Sequence, residues 1–428
     1  MKLKKVIGLA AVALSVVTLA ACSSKSDSKS SAKDDKTVTV WAWDESFNVK
    51  AVNEAKKFYE DKDIEVKVSV MSQDDIVQKL NTSFASGSKE GLPNIVLIED
   101  YRVQSFLTAY EKSFSPLDDI VSEDDFSSYK FAVNKVGDKI YGVPFDSGVT
   151  GLFYRRDLLS EAGYSAEDLE NITWEEYIKI GKDVKAKTGK ALQFLDPSDL
   201  GLVRIIMQSA GAWYQGQDGK EVTIKDNDAL KYGIKIYSEL LKSGVVEQVS
   251  SWDAGVSAVQ TGTSAAIPTG CWYSSSIQGG EEFSGKWGVA PIPTIKGSDA
   301  HASSSGGSGW YLLKGISGED KAKDFLKATF ASNVDFMDDL AKEIGLVSTL
   351  NAAKEAPTYK EGVAYYDNQK VFEDFSKWSG EVPQVNYGQN TYAIETVMAE
   401  YVQRVLDGED IDKVLKEAQT QVEAQVAN

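Results

Sequence analysis

Short runs of β-branched and aromatic residues recur along the chain, and stretches with apolar residues at helical spacing separate them. Residues 37–43 (TVTVWAW) mix β-branched and aromatic side chains, which predicts a strand. Val49, Val52, Phe58 and Tyr59 then follow at helical spacing, which predicts a helix. Further strands are predicted at 65–70, 94–98, 151–155, 287–293 and 310–313. Strands that alternate with helices favour an open α/β sheet.

Helix boundaries are marked by glycines and by one capping motif. Helices are predicted to end at Gly87 and Gly244, because glycine readily adopts the left-handed conformation that closes many helices. The TWEE segment fits a capping box, with Thr173 as the N-cap and Glu176 at the third helical position. Two amphipathic helices are predicted near the C-terminus, at 394–405 and 411–426.

The N-terminus has the layout of a secretory signal. Residues 1–5 (MKLKK) are positively charged, and residues 6–21 form an uncharged apolar run that ends in small residues. The run is shorter than the roughly 18–20 apolar residues that a membrane-spanning helix needs. We therefore predict that residues 1–21 are a signal peptide.

Leu19-Ala20-Ala21-Cys22 resembles the bacterial lipobox, in which the cysteine thiol receives a diacylglyceryl group and the signal is removed ahead of it. The resemblance implies a lipoprotein anchored to the cell membrane through Cys22, on the extracytoplasmic face. The alternative is an ordinary signal peptide that carries a cysteine by chance. Residues 22–36 are rich in Ser, Lys and Asp, so they are expected to form a flexible tether.

The composition is acidic, with a formal net charge of −18. Removal of residues 1–21 takes away three lysines and makes the charge −21. Such a chain repels nucleic acid phosphates and anionic lipids. No nucleic-acid partner is therefore expected, and the ligand should be neutral or cationic. Residues 37–428 exceed what one hydrophobic core usually serves, which predicts two domains.

Cysteine and histidine are too rare for several kinds of site. Cys271 is the only cysteine besides Cys22, and His301 is the only histidine. These counts argue against a disulfide in the mature chain, a Ser-His-Asp triad and a zinc site built from His and Cys. The sequence also has neither a Walker loop nor a dinucleotide-binding glycine motif. No cofactor and no metal are therefore expected.

Several segments, in order along the chain, resemble the family 1 extracellular solute-binding proteins that serve sugar ABC importers. The clearest is residues 137–163 (GDKIYGVPFDSGVTGLFYRRDLLSEAG), which is similar to the family's Gly-Lys-x-Tyr-Gly-x-Pro segment and the strand and helix after it. Within it, Arg155-Arg156 departs from the commoner Asn-Lys pair. Four further segments match the family in register: 173–177, 259–273, 287–293 and 306–313. Four short motifs look like the lactose- and arabinose-type branch: WAWD, IEDY, DSGVTG and VNYG.

The resemblance implies a type II periplasmic-binding-protein fold, in which hinge strands join two α/β lobes around a ligand cleft that closes on its ligand. The chain would cross between the lobes near 145–150, near Pro293 and near Gly345. The expected partners are a sugar or oligosaccharide and the permease subunits of an ABC importer, with the protein itself a monomer. The lobes are expected to comprise 37–147 with 294–345 and 148–293 with 346–428.

A sugar offers hydroxyls on its edges and C–H groups on its faces, so its site needs aromatic rings together with carboxylates and amides. The candidate residues follow predicted strand ends or lie in loops near the expected cleft. Each could instead be structural, the tryptophans as core residues and Asp44 and Asp100 as helix caps. Trp213 and Trp252 follow no predicted strand and are expected in a core or on a lobe surface. The candidates are Trp43, Asp44, Glu99, Asp100, Asp146, Trp272, Tyr273, Trp310, Asn386 and Tyr387.

Three functions fit these features. The first is a binding protein, not an enzyme, that captures a neutral sugar such as a galactoside or an arabinose-containing oligosaccharide for an importer. The second is a lipid-anchored glycoside hydrolase, which would need two carboxylates that flank one bond. Glu99 and Asp100 are adjacent, and neighbours in an extended chain point apart, but Asp44 and Asp146 could still form such a pair. The third is a carbohydrate-binding adhesin.

Overall fold

The computed structural model describes residues 36–426, so the predicted signal peptide, Cys22 and the predicted tether up to residue 35 lie outside the described residues. No helix within 36–426 is long and apolar enough to cross a membrane.

The strands are β1 (Thr37–Ala42), β2 (Glu65–Val70), β3 (Ile95–Glu99), β4 (Lys135–Val136), β5 (Lys139–Ile140), β6 (Gly142–Asp146), β7 (Thr150–Arg155), β8 (Gln193–Leu195), β9 (Val246–Gln248), β10 (Ala266–Gly270), β11 (Trp287–Ala290) and β12 (Ser308–Leu312). The helices are α1 (Asn48–Phe58), α2 (Gln73–Ser86), α3 (Asp100–Tyr110), α4 (Phe131–Asn134), α5 (Arg156–Glu161), α6 (Trp174–Thr188), α7 (Gly201–Ser209), α8 (Asp228–Ser243), α9 (Trp252–Gln260), α10 (Ser274–Gln278), α11 (Glu319–Ala328), α12 (Val334–Ile344), α13 (Val371–Ser379), α14 (Thr391–Leu406) and α15 (Ile411–Val426).

Five strands form the sheet of the first lobe, in the order β2-β1-β3-β12-β6. β1 pairs in parallel with β2 and β3, whereas β12 runs antiparallel to both β3 and β6. The carboxyl ends of β1, β3 and β6 therefore share one edge of the sheet with the start of β12. Leu97, Phe145 and Trp310 from this sheet belong to one core with Phe325 of α11 and Phe336 of α12.

The second lobe is built on a sheet in the order β10-β7-β11, in which β7 runs antiparallel to both neighbours. β8 pairs in parallel with β9. A parallel bridge between Ala191 and Ser264 joins the residues just before β8 to those just before β10. The carboxyl ends of β8, β9 and β10 therefore also share one edge. Trp174 of α6, Ile206 of α7 and Tyr237 of α8 are core residues of this lobe.

The chain leaves the first sheet after β6, and it returns later than the crossing expected near Pro293. The Ser303 hydroxyl still donates a hydrogen bond to the Ile205 carbonyl of the second lobe, at 2.8 Å. Ser308 pairs with Glu99 in the first sheet. The return therefore lies between these two serines, because the segment after β11 first runs along the second lobe.

The last crossing also lies later than the expected position near Gly345. The Asn351 side chain donates to the Phe126 carbonyl of the first lobe at 2.9 Å. The Tyr365 carbonyl accepts from the Gly285 N–H of the second lobe, also at 2.9 Å. The chain therefore passes between the lobes after Asn351. This part of the chain forms only short 3₁₀ turns before α13, so no strand or helix marks the crossing in the sequence.

Several predicted helix boundaries agree with the structure. α2 is closed by Gly87, whose φ is +70°, and α8 by Gly244, whose φ is +77°. The capping box of α6 is also formed. The Thr173 hydroxyl accepts from the Glu176 N–H at 3.2 Å, and the Glu176 carboxylate accepts from the Thr173 N–H at 2.8 Å. The hydrogen bonds that the Thr173 N–H and hydroxyl donate to the Glu176 carboxylate lower its pKa.

Thr173→Ala is expected to lower the free energy of unfolding by about 1 kcal/mol, because the first turn of α6 loses its side-chain acceptor. Urea denaturation of the purified protein measures the change. Thr173→Ser keeps the hydroxyl and should retain most of the stability. A loss of the same size in both variants would contradict the capping explanation.

Candidate binding cleft

Side chains from both lobes meet in a cavity of about 620 Å³. The first lobe contributes residues at the carboxyl ends of β1, β3 and β6 and at the start of β12. The second lobe contributes residues that follow β8, β9 and β10, together with residues of α7. The cavity therefore lies where the carboxyl ends of strands in both sheets meet, which is the usual ligand position in open α/β folds.

Aromatic rings come to the cavity from both lobes. Trp43 follows β1, whereas Trp252 follows β9 and Trp272 and Tyr273 follow β10. The ring centroids of Trp252 and Trp272 are 5.8 Å apart with their planes 30° apart, and Tyr273 packs edge-on against both. The Trp272 indole N–H donates to the Ser305 carbonyl, at 2.8 Å, in the segment that crosses between the lobes. Such rings can stack on the C–H faces of a sugar.

Two aspartates that line the cavity, one from each lobe, have one carboxylate oxygen already engaged. Asp44 Oδ1 accepts from the backbone N–H groups of Ser46 and Phe47, at 2.8 and 3.0 Å. Asp196 Oδ1 accepts from the N–H of Ser198 at 2.9 Å. Asp44 therefore also stabilises the turn before α1. In both aspartates Oδ2 accepts no hydrogen bond from residues 36–426, so it is available to a ligand hydroxyl.

Glu99 and Asp146 are largely buried carboxyl groups at the same cavity. The Tyr392 hydroxyl lies 2.6 and 2.9 Å from the two oxygens of Glu99, and Arg102 Nε lies 3.4 Å away. The Ser308 hydroxyl donates to Asp146. Burial raises the pKa of both carboxyls, and these neighbours oppose the rise. The protein thus holds both groups in place as acceptors.

Arg204 is the only Arg or Lys among the described residues that line the cavity. Its guanidinium lies 2.5 Å from Glu395 and 3.2 Å from Asp199. Burial by itself lowers the pKa of Arg204, but the carboxylates of Glu395 and Asp199 raise it well above its ordinary value. Because two carboxylates compensate this one cation, the cavity as a whole is acidic.

Tyr101 follows β3 in the first lobe, yet its ring packs against rings of the second lobe. Its centroid lies 5.3 Å from that of Trp213 and 4.7 Å from that of Tyr387. The Tyr101 hydroxyl accepts from the Gly306 N–H at 3.0 Å. Tyr101 also lines the cavity. It therefore connects the two lobes beside the segment that crosses between them.

Six candidates from the sequence line the cavity: Trp43, Asp44, Glu99, Asp146, Trp272 and Tyr273. Asp100 does not. It pairs with Lys130 at 2.5 Å, and both side chains are buried, with exposed fractions of 2% and 0%. Burial raises the pKa of Asp100, and Lys130 opposes the rise. Its position differs from that of Glu99 because adjacent residues of an extended segment point apart.

Trp310 is a core residue of the first lobe and does not line the cavity. It lies two residues inside β12, whereas Ser308 stands at the edge of the sheet. The rings of Phe145 and Phe330 lie 5.2 and 5.1 Å from its ring. Since a strand rises by roughly 3.3 Å per residue, two residues are enough to move a side chain away from the cleft.

Asn386 and Tyr387 also lie away from the cavity. The Asn386 amide donates to the Gln217 carbonyl at 3.2 Å, within the second lobe. The Tyr387 hydroxyl donates to the Gln208 side chain at 3.1 Å, and its ring is buried. Both residues follow no strand, so the rule that places strand ends at the cleft does not apply to them.

Sequence reasoning did not select Trp252, Asp196 or Arg204, which all line the cavity. Asp196 follows β8 and Trp252 follows β9, and each of these strands is only three residues long. Such short strands show no alternating pattern. The sequence does indicate where these two strands begin, because a strand commonly follows a helix in this fold class. Gly189 ends α6 shortly before β8, and Gly244 ends α8 shortly before β9.

The model of the family described as "Bacterial extracellular solute-binding protein" matches residues 54–366. A lactose-binding protein from Rhizobium radiobacter is 38% identical, over 91% of this chain and 93% of its own length. An arabinooligosaccharide-binding protein from Bacillus subtilis (strain 168) is 25% identical, over 76% of each chain.

Among solved structures, the GacH receptor of Streptomyces glaucescens GLA.O has a TM-score of 0.77 to this chain at 20% identity. The match covers 92% of this chain and 98% of the receptor. This likeness confirms the two-lobed α/β fold predicted from the sequence. From the family match over most of its length, this chain belongs to the bacterial extracellular solute-binding protein family.

Proposed function

We propose that this protein captures a neutral sugar or oligosaccharide outside the cytoplasm and delivers it to the permease subunits of an ABC importer. The observation that carries the proposal is that each lobe brings both aromatic rings and a carboxylate to one cavity. Trp43 and Asp44 come from the first lobe, and Trp272 and Asp196 come from the second. A sugar between the lobes would stack its faces on the rings and donate its hydroxyls to the carboxylates.

The charges at the cavity favour a neutral ligand over an anionic one. The guanidinium of Arg204 is already paired with Glu395 and Asp199. A uronic acid or a sugar phosphate would therefore meet the carboxylates of Asp44 and Asp196, which have no Arg or Lys partner among the described residues, and like charges brought together cost free energy. The net charge of −18 also repels anionic ligands, and it does so at longer range.

A galactoside such as lactose is the first candidate ligand. The lactose-binding relative shares 38% of its residues with this chain along almost the whole of both proteins. An arabino-oligosaccharide is the second candidate, supported by the relative that is 25% identical. The acidic, aromatic cavity suits either sugar.

The protein would act as a monomer on the extracytoplasmic face of the cell membrane, held by lipid on Cys22. The support for the anchor is the signal-like pattern of residues 1–21 directly before Cys22. More than one acyl chain is needed for stable anchoring. The polar residues 22–36 would give the body freedom to approach a permease in the same membrane.

We favour binding without hydrolysis. A glycoside hydrolase needs one carboxyl group to donate a proton and another to attack or activate water across one bond. At this cavity Glu99 accepts from Tyr392 and Asp146 accepts from Ser308. Carboxylates fixed in this way suit the role of constant acceptors for ligand hydroxyls, and the relatives above are named for binding.

Calorimetric titration of the purified protein with lactose, arabino-oligosaccharides and maltose tests the proposal. We expect saturable binding of at least one of these sugars, with one ligand per chain. Chromatography of the mixture afterwards should recover the sugar intact. Release of monosaccharides would favour the hydrolase instead, and binding only to insoluble polysaccharide would favour the adhesin.

A further inference from the structure

Trp252 is the most exposed large hydrophobic side chain in the described part of the chain, with 58% of its surface accessible. It lines the cavity, and its ring packs on that of Trp272. Single exposed tryptophans occur on many protein surfaces. Trp252 differs from these because its ring packs on that of Trp272 in the cavity and also reaches toward solvent.

The surroundings of Trp252 hold its ring in place. The Ser251 hydroxyl caps α9 by accepting a backbone N–H of the first turn at 3.2 Å. A Cβ atom on Gly255 would lie 2.6 Å from the Phe194 ring, so glycine lets the first turn of α9 pack directly on that ring. Tyr273 packs edge-on against Trp252, with the centroids 5.4 Å apart. A ring already held by these contacts loses little conformational freedom when a ligand stacks on it.

We propose that Trp252 binds an additional pyranose residue of an oligosaccharide at the mouth of the cavity, beyond the sugar enclosed beside Trp272. This inference rests on the proposed function. A cavity of about 620 Å³ is of the size that encloses a drug-sized ligand, such as a disaccharide. Trp252, Ser251 and Ser275 are exposed residues of its lining, so they stand at the side of the cavity that is open to solvent. A third sugar residue that extends in this direction would meet the ring of Trp252 and the two serine hydroxyls. The protein then selects ligands by chain length.

The test compares lactose with two trisaccharides that extend lactose by one pyranose, one at each end. For the wild type, at least one trisaccharide should bind about fivefold more tightly than lactose, which is the usual worth of one aromatic stack. Trp252→Ala should remove this gain, so that the trisaccharides bind no more tightly than lactose does. Trp252→Phe keeps a ring and should keep part of the gain. Val70→Ala is the matched control, because Val70 is 45% exposed but does not line the cavity.

Two results would overturn this proposal and leave the proposed function standing. An equal loss of affinity for lactose and for both trisaccharides in Trp252→Ala would place Trp252 in the inner site. Unchanged affinities of Trp252→Ala for all three sugars would show that Trp252 does not bind sugar. If cells carrying this variant then took up the sugar more slowly, Trp252 would instead be a contact with the permease. A wild type that binds none of the three sugars, nor the arabino-oligosaccharides, would instead overturn the proposed function.

Discussion

Replacing Lys130 with methionine is expected to lower the free energy of unfolding by about 3–5 kcal/mol, the usual cost of breaking a buried ion pair from one side. The Lys130 ammonium lies 2.5 Å from the Asp100 carboxylate, and both side chains are buried. Asp146 is a second buried carboxyl that acts on Asp100. The substitution leaves these two acidic groups without their cation. Chemical denaturation at neutral pH measures the loss.

The double variant Asp100→Leu/Lys130→Met is the matched control. Removing both charges removes the cost of burying them as well as their attraction, so such replacements are often close to neutral. We expect the double variant to be more stable than Lys130→Met. Equal stability of the two variants would show that the hydrogen bond from Lys130 to the Ser308 carbonyl, or the packing of the lysine stem, accounts for the effect.

The Asp100–Lys130 pair also predicts how the loss of unfolding free energy in Lys130→Met depends on pH. Burial raises the pKa of Asp100 above its ordinary value of 3.8, so the folded state binds this proton more readily than the unfolded state. The stability that protonation provides is present below about pH 4 and is lost as the pH rises through the raised pKa. Without Lys130 the pKa rises further. The deficit of Lys130→Met should therefore change little between about pH 4 and 6 and should grow as the pH rises through about 7, where Asp100 of the wild type loses its proton and Asp100 of the variant keeps it. A deficit that stays constant across this range would contradict an electrostatic cause.

Trp272→Ala is expected to weaken sugar binding by about 100-fold, as truncation of a central aromatic contact does in well-packed interfaces. The ring of Trp272 packs against those of Trp252 and Tyr273, and its N–H is fixed on the Ser305 carbonyl. The truncation removes a stacking surface and also the support for Trp252. Calorimetric titration with the tightest-binding sugar of the panel measures the effect.

Trp272 is only partly buried, so the same variant should keep its fold. The hydrogen bond to Ser305 is worth about 1 kcal/mol, and the thermal midpoint should fall only slightly. Trp272→Phe keeps a ring without the N–H and should bind with intermediate affinity. Early unfolding of Trp272→Ala would identify Trp272 as a core residue, and unchanged affinity would place the sugar elsewhere.

About half of the strands and helices of this fold could be predicted, because each of these reflects a local pattern. β2 occupies the predicted residues 65–70, and Gly87 ends α2 as predicted. α12 (Val334–Ile344) was not assigned, although its buried Phe336, Met337, Leu340 and Ile344 have helical spacing. The second and third crossings between the lobes lie later in the chain than expected, because their positions depend on contacts between residues far apart in the chain, such as Ser303 with Ile205.

The candidate site was only partly predictable, for a geometric reason. Residues at the carboxyl ends of the longer strands, such as Trp43 directly after β1 and Glu99 at the end of β3, reach the cavity because strand ends face it. The same rule fails for Trp310, which lies inside its strand, and for Trp252, whose strand is too short to recognise. The partner of Asp100 is 30 residues away, and no sequence spacing indicates that Lys130 is the residue it pairs with. Ligand contact by any of these residues stays a prediction.

The position of Tyr101 sets the cost of moving one lobe against the other. A motion that withdrew its ring from Trp213 and Tyr387 would expose aromatic surface on both lobes. Re-exposing one such side chain costs about 1.5–3 kcal/mol, and the bond from the Gly306 N–H would be lost as well. A rotation that keeps the Tyr101 ring packed exposes no aromatic surface and breaks no hydrogen bond to Gly306. A relative motion of the lobes that keeps the Tyr101 ring packed on Trp213 and Tyr387 is therefore expected to cost less free energy than one that separates these rings.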